Sequence, residues 1–254
     1  ALPPRSSNQQ NPAMIKGGDT LIIDAGSYMI GWSAGAVSEW GDNVCDSSYA
    51  YACVPQPVPS GTASNPTRIL GAGWDSGCMA PPELWGTESA PQILSLDSAS
   101  NVVIACLNLT DHSNCIVGYQ PNKSYACITQ STGTGTKDPG LGTWADKAIH
   151  AQDSSNVTLQ DLNIHGFGDY GVQAGRISNW TVTRVTIAGN GNSGWNGDLG
   201  GNNQNSTNSG TLTFTDFTVA WNGCAENYPN LGVYINCWGQ NEGGYGDGLG
   251  EAWT

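Results

Sequence analysis

Four stretches of this chain align with one another at their apolar positions. Beneath Asn101-Val-Val-Ile-Ala-Cys-Leu-Asn-Leu stand Asn156-Val-Thr-Leu-Gln-Asp-Leu-Asn-Ile, Asn179-Trp-Thr-Val-Thr-Arg-Val-Thr-Ile and Thr211-Leu-Thr-Phe-Thr-Asp-Phe-Thr-Val. Apolar side chains coincide at Ile104/Leu159/Val182/Phe214, at Leu107/Leu162/Val185/Phe217 and at Leu109/Ile164/Ile187/Val219. The rows begin 55, 23 and 32 residues apart, so the shortest spacing reads as a bare row and the longer ones carry insertions. A strand-forming row of this length cannot bury its own apolar face, and stacking further rows on it does. Alternation of period two breaks between the first and second apolar columns, which predicts a bend from one sheet to the next at that point.

A second repeat lies downstream of the first. Asp146-Lys-Ala-Ile-His-Ala aligns with Asp169-Tyr-Gly-Val-Gln-Ala and with Asn192-Ser-Gly-Trp-Asn-Gly at a spacing of 23, and Gly246-Asp-Gly-Leu-Gly-Glu reads as a later row. Ile149, Val172, Trp195 and Leu249 are then expected to stack inward. Composition agrees with many short strands joined by turns: 38% of residues are hydrophobic, only 11% are charged, and there are 35 glycines. Gly and Asn tolerate the positive φ angles that turns require. Further strand pairs are expected in Gly17–Trp32 and Gln92–Asp111, with the chain resuming at Pro66–Trp74 after the first insertion. Loop insertions are expected at about residues 37–66 and 113–143.

Eight cysteines are present. Close pairs Cys45–Cys53, Cys115–Cys127 and Cys224–Cys237 are expected, leaving Cys78–Cys106, although sequence does not prove the connectivity. Such staples belong to an oxidising compartment, and zinc-type spacing with clustered His is missing. A secreted or periplasmic chain is therefore expected, with its signal already removed before the polar start ALPPRSSNQQ. No run approaches the roughly 20 apolar residues of a membrane span. The net charge of −13 argues against nucleic acid, whose binding rests on basic patches. It also opposes a polyanionic substrate unless Ca²⁺ bridges the charges.

The segments GGDTLIIDAGSY, PTRILGAG and SNVTLQDLNIHG resemble the pectate-lyase-like right-handed parallel β-helix superfamily. The NGC…CWGQ…GGYGDGLG run looks like uncharacterised bacterial right-handed β-helix repeat proteins. The resemblance implies an all-β right-handed parallel β-helix, a solenoid with disulfide-stapled loop insertions, spanning residues 1–254 as one domain. It implies lyases, hydrolases, epimerases or non-catalytic adhesins, so fold alone does not decide activity. The chain stops at GLGEAWT with no capping helix or polar end strand. The domain is therefore expected to be incomplete at its C-terminal end, with further coils or a second chain packing there, unless a short polar loop covers it.

Stacking places equivalent residues about 4.8 Å apart and turns the downstream repeat into three outward columns. Asp146, Asp169 and Asn192 form one. Lys147, Tyr170 and Ser193, with Asp247, form the second. His150, Gln173 and Asn196 form the third. β-Elimination of a glycan needs a base, an acid for the leaving oxygen, and neutralisation of the uronate. Lys147 or His150 suits the base, Tyr170 the acid, and Asp146 with Asp169 a Ca²⁺ or substrate site. Gln173, Arg176, Asn196, Trp144, Asp198 and Asp247 complete the set as substrate-binding groups.

Hydrolysis would instead use paired carboxylates, such as Asp146 with Asp169, or Asp169 with Asp198 or Asp247. A glycan-binding surface protein without catalysis is the third class. A solvated polar ladder is the plain alternative for all three columns. Asp161, Arg184 and Asp216 share one column and read as a structural ion-pair ladder, with Arg184 as a substrate clamp the lesser reading. His112 and His165 read as turn or packing residues. Trp144, Trp221 and Trp238 are the tryptophans expected to be exposed and able to stack on sugar rings.

Overall fold

Parallel pairing organises everything the computed structural model describes, namely residues 15–30, 57–86, 92–111, 145, 147–167, 170–190, 193–197 and 208–222. Among these residues there are twelve strands and no helix. The first sheet contains β1 (Thr20–Ile23), β2 (Ser27–Ile30), β3 (Thr67–Gly71), β4 (Glu83–Gly86), β6 (Ser100–Asp111), β8 (Ser155–His165), β10 (Thr181–Ala188) and β12 (Thr213–Ala220). The second contains β5 (Gln92–Ser95), β7 (Lys147–Gln152), β9 (Tyr170–Gly175) and β11 (Ser193–Asn196). The main path of the first sheet runs β1-β3-β6-β8-β10-β12, with β2 and β4 joining along the second half of β6; the second runs β11-β9-β7-β5. From β5 to β12 the chain alternates between the two sheets.

The strand pairing reproduces the row alignment residue for residue. Ile104, Leu159, Val182 and Phe214 are successive partners, as are Leu107, Leu162, Val185 and Phe217, and Leu109, Ile164, Ile187 and Val219. In the second sheet Leu94, Ile149, Val172 and Trp195 form the facing column. These residues pack into one hydrophobic core, with those of β12 only partly buried at its end. Burying a side chain of this size contributes roughly 1.5–3 kcal/mol. Trp195 spans the gap between the sheets, its ring meeting Trp180, Phe214 and Phe217 edge-on at 6.0, 5.5 and 5.8 Å between centroids.

The broken alternation has a single backbone cause. Cys106, Asp161, Arg184 and Asp216 hold φ of 58°, 52°, 52° and 49°. One left-handed residue in an otherwise extended strand turns the chain within the first sheet, rather than from one sheet to the next as expected, so the apolar columns two positions before it and one position after it both point inward. The same conformation recurs in three further columns: Ser98/Asp153/Arg176, Asn101/Asn156/Asn179 and Gly166/Gly189/Trp221. Left-handed geometry costs a non-glycine residue roughly 1–2 kcal/mol, less for Asn and Asp. That cost persists in each row because a neighbour that did not bend in the same place would lose its ladder of hydrogen bonds.

In the second sheet, Ala148 and Ile149 are both fully buried, so the alternation breaks there too and Lys147 and His150 share the outer face. Gly171 and Gly194 follow Ala148 in that register. A Cβ at Gly171 would collide with Ile187, and one at Gly194 with Val219. Glycine is needed there because the two sheets approach each other closely.

The expected strand pairs at Gly17–Trp32 and Gln92–Asp111 are β1 with β2 and β5 with β6, and Pro66–Trp74 contains β3. Of the first expected insertion, residues 57–66 run beside the second and first sheets rather than away from them. The Val58 N–H donates to the Ser95 carbonyl, the Gly61 N–H to that of Ser100, and Val58 is buried. Residues 37–56 and the second insertion, 113–143, lie outside the described residues.

Cys78 and Cys106 form a disulfide. It ties the loop between β3 and β4 to the bend residue of the next row. The pairs Cys45–Cys53, Cys115–Cys127 and Cys224–Cys237 lie outside the described residues. The bridge closes a sequence separation of 28. Chain-entropy reasoning assigns such a loop about 3.5 kcal/mol. A Cys78→Ser/Cys106→Ser double variant is expected to lose about 2–4 kcal/mol in urea unfolding. An unchanged midpoint would show that the loop is already held by its other contacts.

Candidate functional site

The candidate site is the polar outer face of the second sheet, and register builds it. Gln92, Lys147, Tyr170 and Ser193 are successive partners across β5, β7, β9 and β11. Ser95, His150, Gln173 and Asn196 form the parallel column. Of the three expected columns, the second without Asp247 and the third are therefore present, each extended by one row at β5; the first, Asp146/Asp169/Asn192, lies outside the described residues. Gln92 and Ser95 escape a sequence reading because Gln-Ile-Leu-Ser shares only its apolar centre with Lys-Ala-Ile-His, and a long insertion separates them.

Lys147 and Tyr170 are cross-strand neighbours, with the Lys147 Nζ 5.9 Å from the centre of the Tyr170 ring. A cation at that range over an aromatic face is attracted by the ring quadrupole. Three residues further along β7, His150 Nδ1 lies 2.8 Å from Asp97 Oδ1. The contact is close but poorly aligned: Oδ1 is enclosed and accepts no well-directed hydrogen bond. It acts as a charge pair when the imidazole is protonated. The Ser95 hydroxyl donates to the other Asp97 oxygen at 3.2 Å. Asp97 leaves no sequence signal, since it sits in the turn after β5 and reaches His150 only across the row. Gln173 and Asn196 retain only 7% of their surface, whereas the His150 side chain keeps 21%. The titratable groups are thus the more accessible members of the face.

Arg176 leaves this face. It occupies a bend column, where its Nε and Nη2 donate to both carboxylate oxygens of Asp153 at 2.5 and 2.6 Å. The fork is bidentate and engages both carboxylate oxygens. Arg184 does the same to Asp161 at 2.5 and 2.9 Å, with the charge of Asp216 nearby on the other side. The order acid, base, acid on successive rows is therefore an ion-pair ladder along the bend, and Arg184 faces its own chain.

The remaining expected residues fall outside the described set: Trp144, Asp146, Asp169, Asp198 and Asp247, and with them the proposed Ca²⁺ ligands. Among the described residues no three His, Cys, Asp or Glu side chains gather as a metal site, and no helix is long and apolar enough to cross a membrane.

A second polar network crosses the first sheet, and its members were not read as a group in the sequence. Ser27 donates to Glu83 at 2.6 Å, Asn108 Nδ2 to the other Glu83 oxygen at 3.3 Å, and Asn163 Nδ2 to Asn108 Oδ1 at 3.0 Å. His165 Nε2 lies 2.9 Å from the same Asn108 oxygen, with Thr110 Oγ1 3.4 Å from Nδ1. The oxygen can only accept, so Nε2 carries the proton. His165, expected as a turn or packing residue, ends β8 within this network.

No protein-family model, curated protein or solved structure matches this chain.

The ion-pair ladders carry a pH dependence. The Arg176 fork holds the Asp153 carboxyl below its ordinary 3.8, and the Arg184 fork does the same for Asp161. A depressed carboxyl pKa contributes stability that is fully present above 3.8 and is lost as pH falls through the lower folded value. Solvent screens both pairs, so each contribution is modest. Asp161→Asn is expected to lower the urea midpoint at neutral pH and to shrink the drop seen between about pH 5 and pH 2. An acid limb identical to that of the parent protein would count against the ladder.

Proposed function

We propose that this chain is a secreted right-handed parallel β-helix whose second-sheet outer face binds a long glycan and cleaves it by β-elimination. In-register parallel strands, a chain alternating between two sheets, and left-handed bend columns support the helical winding. The Cys78–Cys106 bridge fits an oxidising compartment.

The observation that carries the reading is the pairing of Lys147 with Tyr170 on adjacent strands. A base and an acid serving one sugar ring must reach atoms a few ångströms apart, and adjacent strands about 4.8 Å apart allow this pair to do so. His150 stands about 10 Å away along β7, roughly two sugar rings of distance, and suits the neighbouring subsite with Asp97 behind it. In the step, Lys147 in its amine form takes the proton α to the uronate carboxyl. The electrons of that C5–H bond form the C4=C5 double bond, the C4–O bond breaks, and Tyr170 protonates the departing oxygen. Gln173 and Asn196 hold hydroxyls along the chain. The net charge of −13 repels a polyuronate at long range, but screening confines that effect to roughly 8 Å at physiological salt. Asp146 and Asp169, which precede Lys147 and Tyr170 in sequence, are the ligands we assign to a Ca²⁺ or to the substrate.

A polysaccharide panel, with and without chelator, tests the reading by ultraviolet absorbance of unsaturated uronates beside reducing-end release. Elimination yields both signals. Lys147→Ala and Tyr170→Phe are each expected to lower the rate by about 10²-fold or more while the unfolding midpoint stays unchanged. Reducing ends without absorbance would replace elimination with hydrolysis. Full activity in Lys147→Ala would remove Lys147 from the chemistry.

A further inference from the structure

Among the described residues, nothing in the core accounts for a tryptophan at position 221. It keeps 83% of its surface exposed, so its indole contributes little to the core. Its backbone is left-handed, with φ of 58°, at a position where the two preceding rows carry Gly166 and Gly189. Glycine would meet the backbone requirement without a Cβ penalty. Strain retained at an exposed side chain is a mark of function when the surroundings enforce it.

Here the enforcing element is Asn222, which is buried beside Trp221. Its Oδ1 accepts from the N–H of Asn190 at 3.1 Å and from Asn190 Nδ2 at 2.8 Å. Its Nδ2 donates to the carbonyls of Ile187 and Ala220, both at 3.1 Å. The Gly189 N–H donates to the Trp221 carbonyl at 3.2 Å. The backbone at Trp221 and Asn222 is thus anchored to the previous row, which fixes where the indole leaves the chain.

In the two preceding rows that turn leads into the candidate face. Gly166 and Gly189 each precede by four residues the strand that carries Tyr170 or Ser193 on the outer face. Trp221 occupies the same turn one row further on, about 4.8 Å beyond Gly189. The geometry points to Trp221 as a stacking platform for a pyranose ring of the glycan, at the end of the face beyond Ser193. This assignment rests on the glycan reading above. A sugar ring suits it because axial C–H groups lie flat on an aromatic face while the hydroxyls stay in water.

The test is Trp221→Gly, which installs the residue found in the two preceding rows, with Trp221→Tyr as the conservative partner. Binding of the polysaccharide identified in the panel is measured on the full chain by affinity electrophoresis, and folding by thermal unfolding. Trp221→Gly is expected to weaken binding about tenfold with the unfolding midpoint within about 3 °C of the parent, and Trp221→Tyr to restore most of the affinity. Unchanged binding in Trp221→Gly, while Lys147→Ala still abolishes cleavage, overturns the platform and leaves the glycan reading standing. A parent protein that binds no polysaccharide overturns both. A unfolding midpoint that collapses in Trp221→Gly overturns the platform in favour of a packing role. Loss of a concentration-dependent dimer in Trp221→Gly, with glycan affinity intact, assigns the ring to contact between copies instead.

Discussion

In-register parallel stacking is the constraint on which the rest of this structure depends. Each strand satisfies its backbone groups only against the rows on either side, so a bend introduced in one row must recur at the same place in the next. Four columns of left-handed residues are the visible result. Any row that straightened there would leave buried N–H and C=O groups without partners, which costs more than the strain of the bend.

The residues that occupy the bends show how that strain is held. One column is bridged covalently at Cys106 and ionically from Asp161 to Arg184. Another is tied by Asp153 and Arg176. A third uses Asn101, Asn156 and Asn179, a residue type that tolerates the left-handed region. The fourth starts with glycines and ends at Trp221, whose backbone the Asn222 amide fixes in place. Cross-links between rows thus concentrate where the backbone is least comfortable.

The same stacking makes a site from residues that are far apart in sequence. Tyr170 lies 23 positions after Lys147, and the register makes them neighbours. Lys147, His150, Tyr170 and Gln173 are rigidly placed, since β7 and β9 are each hydrogen-bonded on both sides. That suits the alignment of a long polymer, whose many weak contacts must be met together. The outer face of the first sheet is organised differently: Ser27, Glu83, Asn108, Asn163 and His165 satisfy one another, which leaves fewer groups to engage a ligand.

Apolar spacing in the sequence by itself determined the rows, their register and the inward columns, because a side chain that must be buried in every row can occupy only one place in it. Charge order likewise exposed the Asp161–Arg184–Asp216 ladder, since opposite charges at equivalent positions meet when rows stack. Tertiary structure alone decided the partners that come from turns. Asp97 meets His150, and Asp153 takes Arg176 away from the candidate face, because those contacts depend on where a bend aims a side chain. The left-handed residues themselves were not legible either: Cys106, Arg184 and Trp221 carry no local preference for that conformation, and only their neighbours in adjacent rows impose it.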